Sequence, residues 1–561
     1  MEDGLVLLQA VVGVARAVRS LYGPNKLRKQ VTGKQALKVF ADQHATQVYF
    51  RADELEHTLF SADAYTVASA LQSQNAGTAI LQQALDEQRR AFGTGCTTML
   101  NLCGVLAEAV LELRRQGLQA DTIQQALTSV EKTCLDTAKL MRISTEEAIP
   151  FFQKMTWSRQ LAALGRLLST NGERSIATSL AVRAASTLDP IEFCGGEGDL
   201  ALENLVTTHV LLGGVTSATS SRVLEGVLLP IENSSLRRSL QSRCFPAAMI
   251  INGGVVVLDG DVELTDVVEN SSIQVIFVHG EISTQALDAS ASTPGAPMCV
   301  PVSSYKSLRH LAEMSGAEII DSWDELLPGA IGLECLEVKA LDLTAVRAQD
   351  DDDDDEVASF FLQVVLPNAR HQLHASVIVQ GPTRSLATEL RNDTHKMICR
   401  LRNVLQSGYV LPGNGGFWCA CDAAVVQEAE ALAKSNQELL SFATMRLADP
   451  LSELSVILLE NSGGCDPDTI EIESFFSRLA KVQTVQKKFA RGVQDIGANK
   501  FFSRYDFRSA EYAILSPKRT EPESEDGRVF HVDEYKSMGS AIRGAFRVLQ
   551  LLLNNDRHRV N

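Results

Sequence analysis

The chain has 561 residues, of which 45% are hydrophobic and 22% charged, enough to bury a sizeable core in several domains and too apolar for a disordered chain. Its formal net charge of −17 gives nucleic-acid binding no global electrostatic support. No run of about 18 apolar residues free of charge occurs, so no membrane span or membrane insertion is expected.

The first segment reads as long helices. Leu5–Val14 is mostly apolar but follows Glu2 and Asp3 rather than a Lys or Arg, which favours a buried first helix over a signal peptide. A helix over Leu5–Leu21 is broken at Gly23-Pro24. Helical patterns follow over Ala68–Phe92, Thr97–Gly117 and Asp121–Met141. Between the first two of these lies Phe92-Gly93-Thr94-Gly95-Cys96-Thr97-Thr98. Thr97 and Thr98 stand where helix N-caps stand, and Cys103, Leu106, Val110 and Leu113 follow at helical spacing. A loop-to-helix junction of this kind favours an anion, because its free N–H groups and the helix dipole both point positive.

The middle of the chain changes character. Ile250–Val257, Ile273–His279 and Cys299–Val302 are short Val- and Ile-rich runs that read as strands, alternating with helical stretches such as Tyr305–Ser315. Asp350–Glu356 is an unbroken acid run, a solvated loop because like charges cannot pack. Strand-like runs resume at Phe360–Leu366 and Ala375–Gln380, then a helix over Ser385–Leu405 follows Gly381-Pro382-Thr383. From there the chain is mostly helical. An α/β centre flanked by helical ends implies an inserted domain, with the two ends joining into one helical domain.

Several isolated signals carry no chemistry. Thr32-Gly33-Lys34-Gln35 lacks the upstream Gly and the final hydroxyl of a P-loop. His371 and His374 are too few for a structural zinc site and read as surface residues. The 11 cysteines are scattered and read as reduced, mostly buried thiols; the closest pair, Cys419 and Cys421, is no metal motif. No metal site and no Ser-His-Asp or Cys-His set is recognised.

A series of short motifs in order resembles the group II chaperonin family, to which the archaeal thermosome and the eukaryotic TRiC complex belong. Ser20-Leu21-Tyr22-Gly23-Pro24-Asn25 looks like the family's Leu-Gly-Pro-Lys-Gly loop, and Ser61-Ala62-Asp63-Ala64-Tyr65-Thr66-Val67 like a worn Thr-Asn-Asp-Gly-Ala-Thr-Ile. Gly93 to Thr98 resembles Gly-Asp-Gly-Thr-Thr. Gly213-Gly214, Glu225-Gly226-Val227 and Ser315-Gly316-Ala317-Glu318 match landmarks of the substrate-facing domain. Gly381 to Gly408 has the family's spacing, and Val410-Leu411-Pro412-Gly413-Asn414-Gly415-Gly416 resembles Val-Pro-Gly-Gly-Gly. The resemblance implies a multidomain α and β subunit: an equatorial helical domain (1–142 and 404–561), an intermediate hinge (143–212 and 366–403) and an α/β apical substrate-binding domain (213–365) with a shortened lid protrusion.

The departures from that pattern bear on function. In the family, the loop Asp anchors magnesium and a second Asp, on the helix returning from the substrate domain, acts on the attacking water. Here Thr94 and Lys396 stand at those positions, so no catalytic residue is assigned. Losing both acids should cost several powers of ten, at about 10²–10⁴-fold for each acid–base contribution. Asp63 is the surviving acid. Gly23, Pro24, Asp63, Gly93, Thr94, Gly95, Thr97, Thr98, Gly413 and Gly415 form a nucleotide-site remnant, with no resident cofactor implied beyond a weak affinity for ATP and magnesium. Lys26 replaces a loop Gly, Asn414 interrupts the last Gly run, and Trp418 is placed either to fill the emptied pocket or simply to pack the core.

The run around Val255-Val256-Val257 is most similar to the McKusick–Kaufman/Bardet–Biedl chaperonin-like proteins. That implies a chaperone of partner subunits in BBSome assembly, working beside TRiC, in the cytoplasm and at the centrosome or ciliary base. Two alternatives stand beside it: a diverged theta-like TRiC subunit that binds ATP in the ring, and an active ATPase pairing Asp63 with a carboxylate the sequence does not place, which an acid near Thr94 in the fold would support. Client subunits and other chaperonin-family subunits are the expected partners.

Overall fold

The computed structural model describes residues 4–23, 26–32, 58–71, 75–149, 151–168, 175–195, 202, 205–212, 218–231, 237, 248–263, 272–293, 296–342, 360–367, 369–413, 415–461 and 532–557. Pro24, the segment Gly33-Lys34-Gln35, Gly213-Gly214, the acid run Asp350–Glu356 and Asn414 lie outside them. The chain divides into two compact units. Unit 1 combines Met1–Gln43, Ala52–Thr178 and His395–Asn561; unit 2 combines His44–Arg51 and Ser179–Thr394.

In chain order, the helices that matter below are α1 (Gly4–Val18), α2 (Ala64–Ala70), α3 (Ala76–Phe92), α4 (Cys96–Arg115) and α5 (Ala120–Met141). They continue with α6 (Thr284–Ser292), α7 (Tyr305–Ser315), α8 (Arg384–Ser407), α9 (Gly416–Lys434), α10 (Glu438–Asn461) and α11 (Tyr535–Arg557). The strands run β1 (Lys29–Thr32), β2 (Thr58–Ser61), β3 (Ile143–Ser144), β4 (Val206–Leu212), β5 (Arg222–Glu225), β6 (Val227–Pro230), β7 (Met249–Asn252) and β8 (Val255–Leu258). They end with β9 (Val275–Val278), β10 (Met298–Pro301), β11 (Ile319–Ile320), β12 (Cys335–Asp342), β13 (Phe360–Val365), β14 (Ala375–Gly381), β15 (Tyr409–Pro412) and β16 (Val532–Glu534).

Unit 1 is a helical assembly around α4. Leu7, Leu8, Val11, Val12, Ala15 and Val18 of α1 recur at helical spacing and bury one face. α4 buries residues on nearly every side, from Cys96 through Leu113, as befits a central helix. Both α4 and the stretch Gly4–Leu21 are long and apolar enough to cross a membrane by length and composition, and α4 is mostly buried inside the unit. Leu447, Leu451 and Leu454 of α10 and Phe546, Leu549 and Leu552 of α11 complete the same core. The N- and C-terminal parts of the chain therefore fold together, which is what an inserted centre requires. A small antiparallel sheet orders β16-β15-β3, and β1 pairs β2.

The single helix expected over Ala68–Phe92 is two. α2 ends at Ala70, and α3 starts afresh behind Asn75, whose Oδ1 accepts the Gly77 N–H at 2.8 Å. The apolar rhythm runs on across the junction, and the cap residue overrides it.

Unit 2 is α/β. Its parallel sheet orders β10-β9-β8-β11, a second, antiparallel sheet orders β6-β13-β12-β7, and a third orders β4-β14-β5. Parallel strands buried on both faces read as continuous apolar runs, and every residue of β8 and β9 is buried. Leu308 and Leu311 of α7 pack on Val257, Phe277 and Val338 in one core. The strand expected over Ile250–Val257 is also two. Gly253 and Gly254 take φ of +78° and +68°, so the chain turns there and β7 and β8 enter different sheets. Only residues 259–274 separate β8 from β9, a short interval where the family's helical lid would stand.

His374 is not on the surface. It is buried and stacked on His310 with ring centroids 4.1 Å apart, and its Nε2 lies 3.5 Å from Glu313 Oε2. Among the described residues no group of three or more His, Cys, Asp or Glu is placed to hold a metal ion. Nine cysteines among the described residues are free thiols, seven of them buried.

Candidate functional site: a worn phosphate site in unit 1

The Gly93–Thr98 loop joins α3 to α4. Gly93 closes α3 at φ +66° and Gly95 opens α4 at φ +91°, both in the left-handed region that favours glycine. A Cβ on Gly95 would come within 2.5 Å of Gln88 Nε2. That amide donates to Thr94 O at 2.9 Å and to Ser537 O at 3.2 Å, tying the loop to the first turn of α11. Thr94 is buried, and Thr97 and Thr98 are half-buried at the start of α4. Asn101 Nδ2 donates to Thr97 O at 2.8 Å.

Three of the sequence-predicted loops meet around one phenol. Tyr22, beside Gly23, is buried; its hydroxyl accepts from Trp418 Nε1 at 3.1 Å and is hydrogen-bonded to the Thr98 side chain. Burial, and then the charge of Asp533, push its ionisation well above the usual phenol range. Trp418 belongs to the first turn of α9, directly after Gly413 and Gly415. Gly415 caps that helix at φ +83°, and its carbonyl accepts from Ser455 Oγ at 3.1 Å. Gly23 rests against α10, where Asn461 Nδ2 donates to Arg19 O and Tyr22 O at 2.8 and 2.7 Å. Trp418 is thus a buried core residue that also bridges two of the loops.

Asp63 stands beside the same helix start. It caps α2, with Oδ2 accepting from Thr66 N at 3.3 Å and Thr66 Oγ1 at 2.8 Å. Oδ1 is held by Lys396 Nζ of α8. Burial alone would raise this carboxyl, but Lys396, Arg89 and the Thr66 contact outweigh it and hold Asp63 far below the usual carboxylate range. Arg89 lies over the Tyr65 ring, 4.3 Å from its centroid. All three charges reach Cys96, whose thiol is pushed up to about 12, chiefly by burial.

Another carboxylate approaches the loop that sequence reasoning did not find. Glu534, buried at the end of β16, accepts from Ser537 N at 2.7 Å on Oε1 and from Asn403 Nδ2 at 3.1 Å on Oε2. The same Asn403 amide donates to Phe92 O at 2.9 Å, one residue before Gly93. Burial pushes Glu534 up to about 6. No motif marks it.

Together these contacts do not fit a magnesium–nucleotide. Both Asp63 oxygens are engaged within the chain, one by a cation. Thr94 offers a neutral hydroxyl, and its carbonyl is already bonded. Glu534 has both oxygens accepting from amides. Asp63 and Glu534 thus have their oxygens taken within the chain, while Asp533, whose charge reaches Tyr22, is a further acid near these loops.

Comparison with known proteins agrees with this fold. The TCP-1/cpn60 chaperonin family is matched over residues 262–473. T-complex protein 1 subunit alpha of Encephalitozoon cuniculi is 23% identical over 189 residues, 34% of this chain and 31% of that protein. T-complex protein 1 subunit theta of Gallus gallus is 20% identical over 477 residues, 81% of this chain and 78% of that protein. T-complex protein 1 subunit alpha of Dictyostelium discoideum is 19% identical over 531 residues, 91% of this chain and 89% of that protein. The molecule is a multidomain α and β protein of chaperonin architecture. It is a chaperonin-like protein related at low identity to TCP-1 subunits, and these matches support placing it with the group II chaperonins.

Proposed function

We propose that this chain is a chaperone of subunit assembly that has left ATP cycling behind, of the McKusick–Kaufman/Bardet–Biedl type. The observation that carries the reading is Lys396 bonded to Asp63: a cation stands where the family's water-activating acid stands, and it consumes the acid that survives. A lysine ammonium cannot act as a carboxylate base. The short β8–β9 interval supports the same reading, because a ring subunit that closes a cage needs a full helical lid. In this proposal the α/β apical domain (213–365) holds incompletely assembled BBSome subunits through apolar surface, and the hinge (143–212 and 366–403) links it to the equatorial domain (1–142 and 404–561). The partners are client subunits and other chaperonin-family subunits, and the place of action is the cytoplasm and the ciliary base. No resident cofactor is needed.

A second reading, a diverged TRiC ring subunit whose neighbours hydrolyse ATP, draws on similarity to the theta and alpha subunits alike over most of the chain. Purification of the native complex from its own cells, with mass and partner identification, separates the two. A smaller assembly containing BBSome subunits or chaperonin-like relatives is expected. One-to-one recovery with all TRiC subunits would overturn the proposal.

A further inference from the structure

We propose that Lys396 is a built-in counter-cation that takes the electrostatic place of a bound metal in the worn phosphate site, so that unit 1 folds independently of magnesium and nucleotide. The inference rests on reading these loops as a former nucleotide site. It does not depend on who the partners are, so the partner assignment can fail without touching it.

The geometry is specific. Asp63 is 8% exposed, and a carboxylate so placed needs compensation for lost hydration. Its two oxygens divide the work: Oδ2 takes the N–H and hydroxyl of Thr66, which fixes the cap of α2, and Oδ1 takes Lys396. Lys396 reaches it from α8 across 333 positions of sequence. Its side chain is 28% exposed, so the ammonium keeps part of its hydration while neutralising the acid. Arg89 adds to the field at Asp63 and lies over the Tyr65 ring. The neighbouring polar groups are likewise satisfied from within: Thr94 O by Gln88, the Tyr22 hydroxyl by Trp418 and Thr98, and Glu534 by Ser537 and Asn403.

The test is a thermal-unfolding cycle on the full chain: the parent, Lys396→Met, Asp63→Asn and the double variant, each with EDTA, with magnesium, and with magnesium and ADP. The parent midpoint is expected to be the same in all three conditions. Lys396→Met strands a buried carboxylate and should lower the midpoint by roughly 5 °C or more. Adding Asp63→Asn should recover most of that loss, because no charge is then left unpaired. Should Lys396→Met fail to fold, recovery of a folded double variant carries the same meaning. A parent stabilised by magnesium with ADP would overturn the inference. So would a Lys396→Met variant as stable as the parent, or a double variant no better than the single one.

Discussion

Replacing Glu534 by Gln tests whether the loop is wired to a buried titrating group. In the folded chain burial raises this carboxyl from its ordinary 4.5 to about 6. Between those values the folded state holds a proton that the unfolded chain has released. Stability therefore falls as pH rises across that window and is flat above it. The whole shift corresponds to about 2 kcal/mol of Glu534-linked stability, of which about 1 kcal/mol is lost between pH 5 and pH 7. The remaining stabilising contacts, Ser537 N–H and Asn403 N–H, explain why the rise is not larger. Glu534→Gln keeps a carbonyl oxygen for Ser537 N but turns an amide toward the Asn403 amide. The variant should lose some stability at pH 5 and, above all, its dependence on pH. The assay is urea unfolding followed by tryptophan fluorescence at pH 5 and pH 7, with Trp418 as the fully buried reporter. Asp422, also raised to about 6 by burial and then by Asp449, slopes the same way in both proteins and cancels in the comparison. Equal pH differences in parent and variant would refute the reasoning.

Other outcomes follow from the same contacts. Trp418→Ala should cost about 3–5 kcal/mol in denaturant unfolding, whereas Trp418→Phe should cost nearer 1 kcal/mol, since it forfeits mainly the bond to Tyr22. Gly95→Ala should lower stability by roughly 1–2 kcal/mol, because the residue sits at φ +91° and its new Cβ meets Gln88; thermal melting reads this directly. Asn75→Ala removes the α3 cap and should cost about 1 kcal/mol by the same melt. As pH falls below about 4 the Asp63–Lys396 pair should persist longer than ordinary carboxylate pairs, since Asp63 is held low. The contribution is present above the unfolded value and is lost only at more acid pH, so Asp63→Asn should flatten the acid limb of a stability profile.

Much of the fold was legible because period and punctuation agree. Tyr305–Ser315 is bounded by Gly316 at φ +67°, and its apolar positions repeat at helical spacing, so sequence and structure share both ends. Asp121–Met141 differs from α5 by one residue. The failures lie where an apolar pattern crosses a break without changing rhythm. Asn75 divides α2 from α3, and Gly253-Gly254 sends one apolar run into two sheets. In the site, the glycines were visible because only glycine suits those backbone angles. The pairings were not. Lys396 meets Asp63, and Trp418 meets Tyr22, across 333 and 396 positions, and no local spacing encodes either contact. Glu534 was invisible for a different reason: a lone acid before a helix looks like a cap, and only burial beside Phe92 gives it weight. His374 read as a surface residue because nothing in its local sequence marks the stacking on His310, which comes from a distant helix.

The central claim is that this chaperonin-like chain no longer uses its nucleotide site as a catalyst, and steady-state phosphate release from ATP tests it most directly. The purified parent and Asp63→Asn should release phosphate at the same background rate with saturating magnesium. Hydrolysis by the parent that disappears in Asp63→Asn would contradict the account.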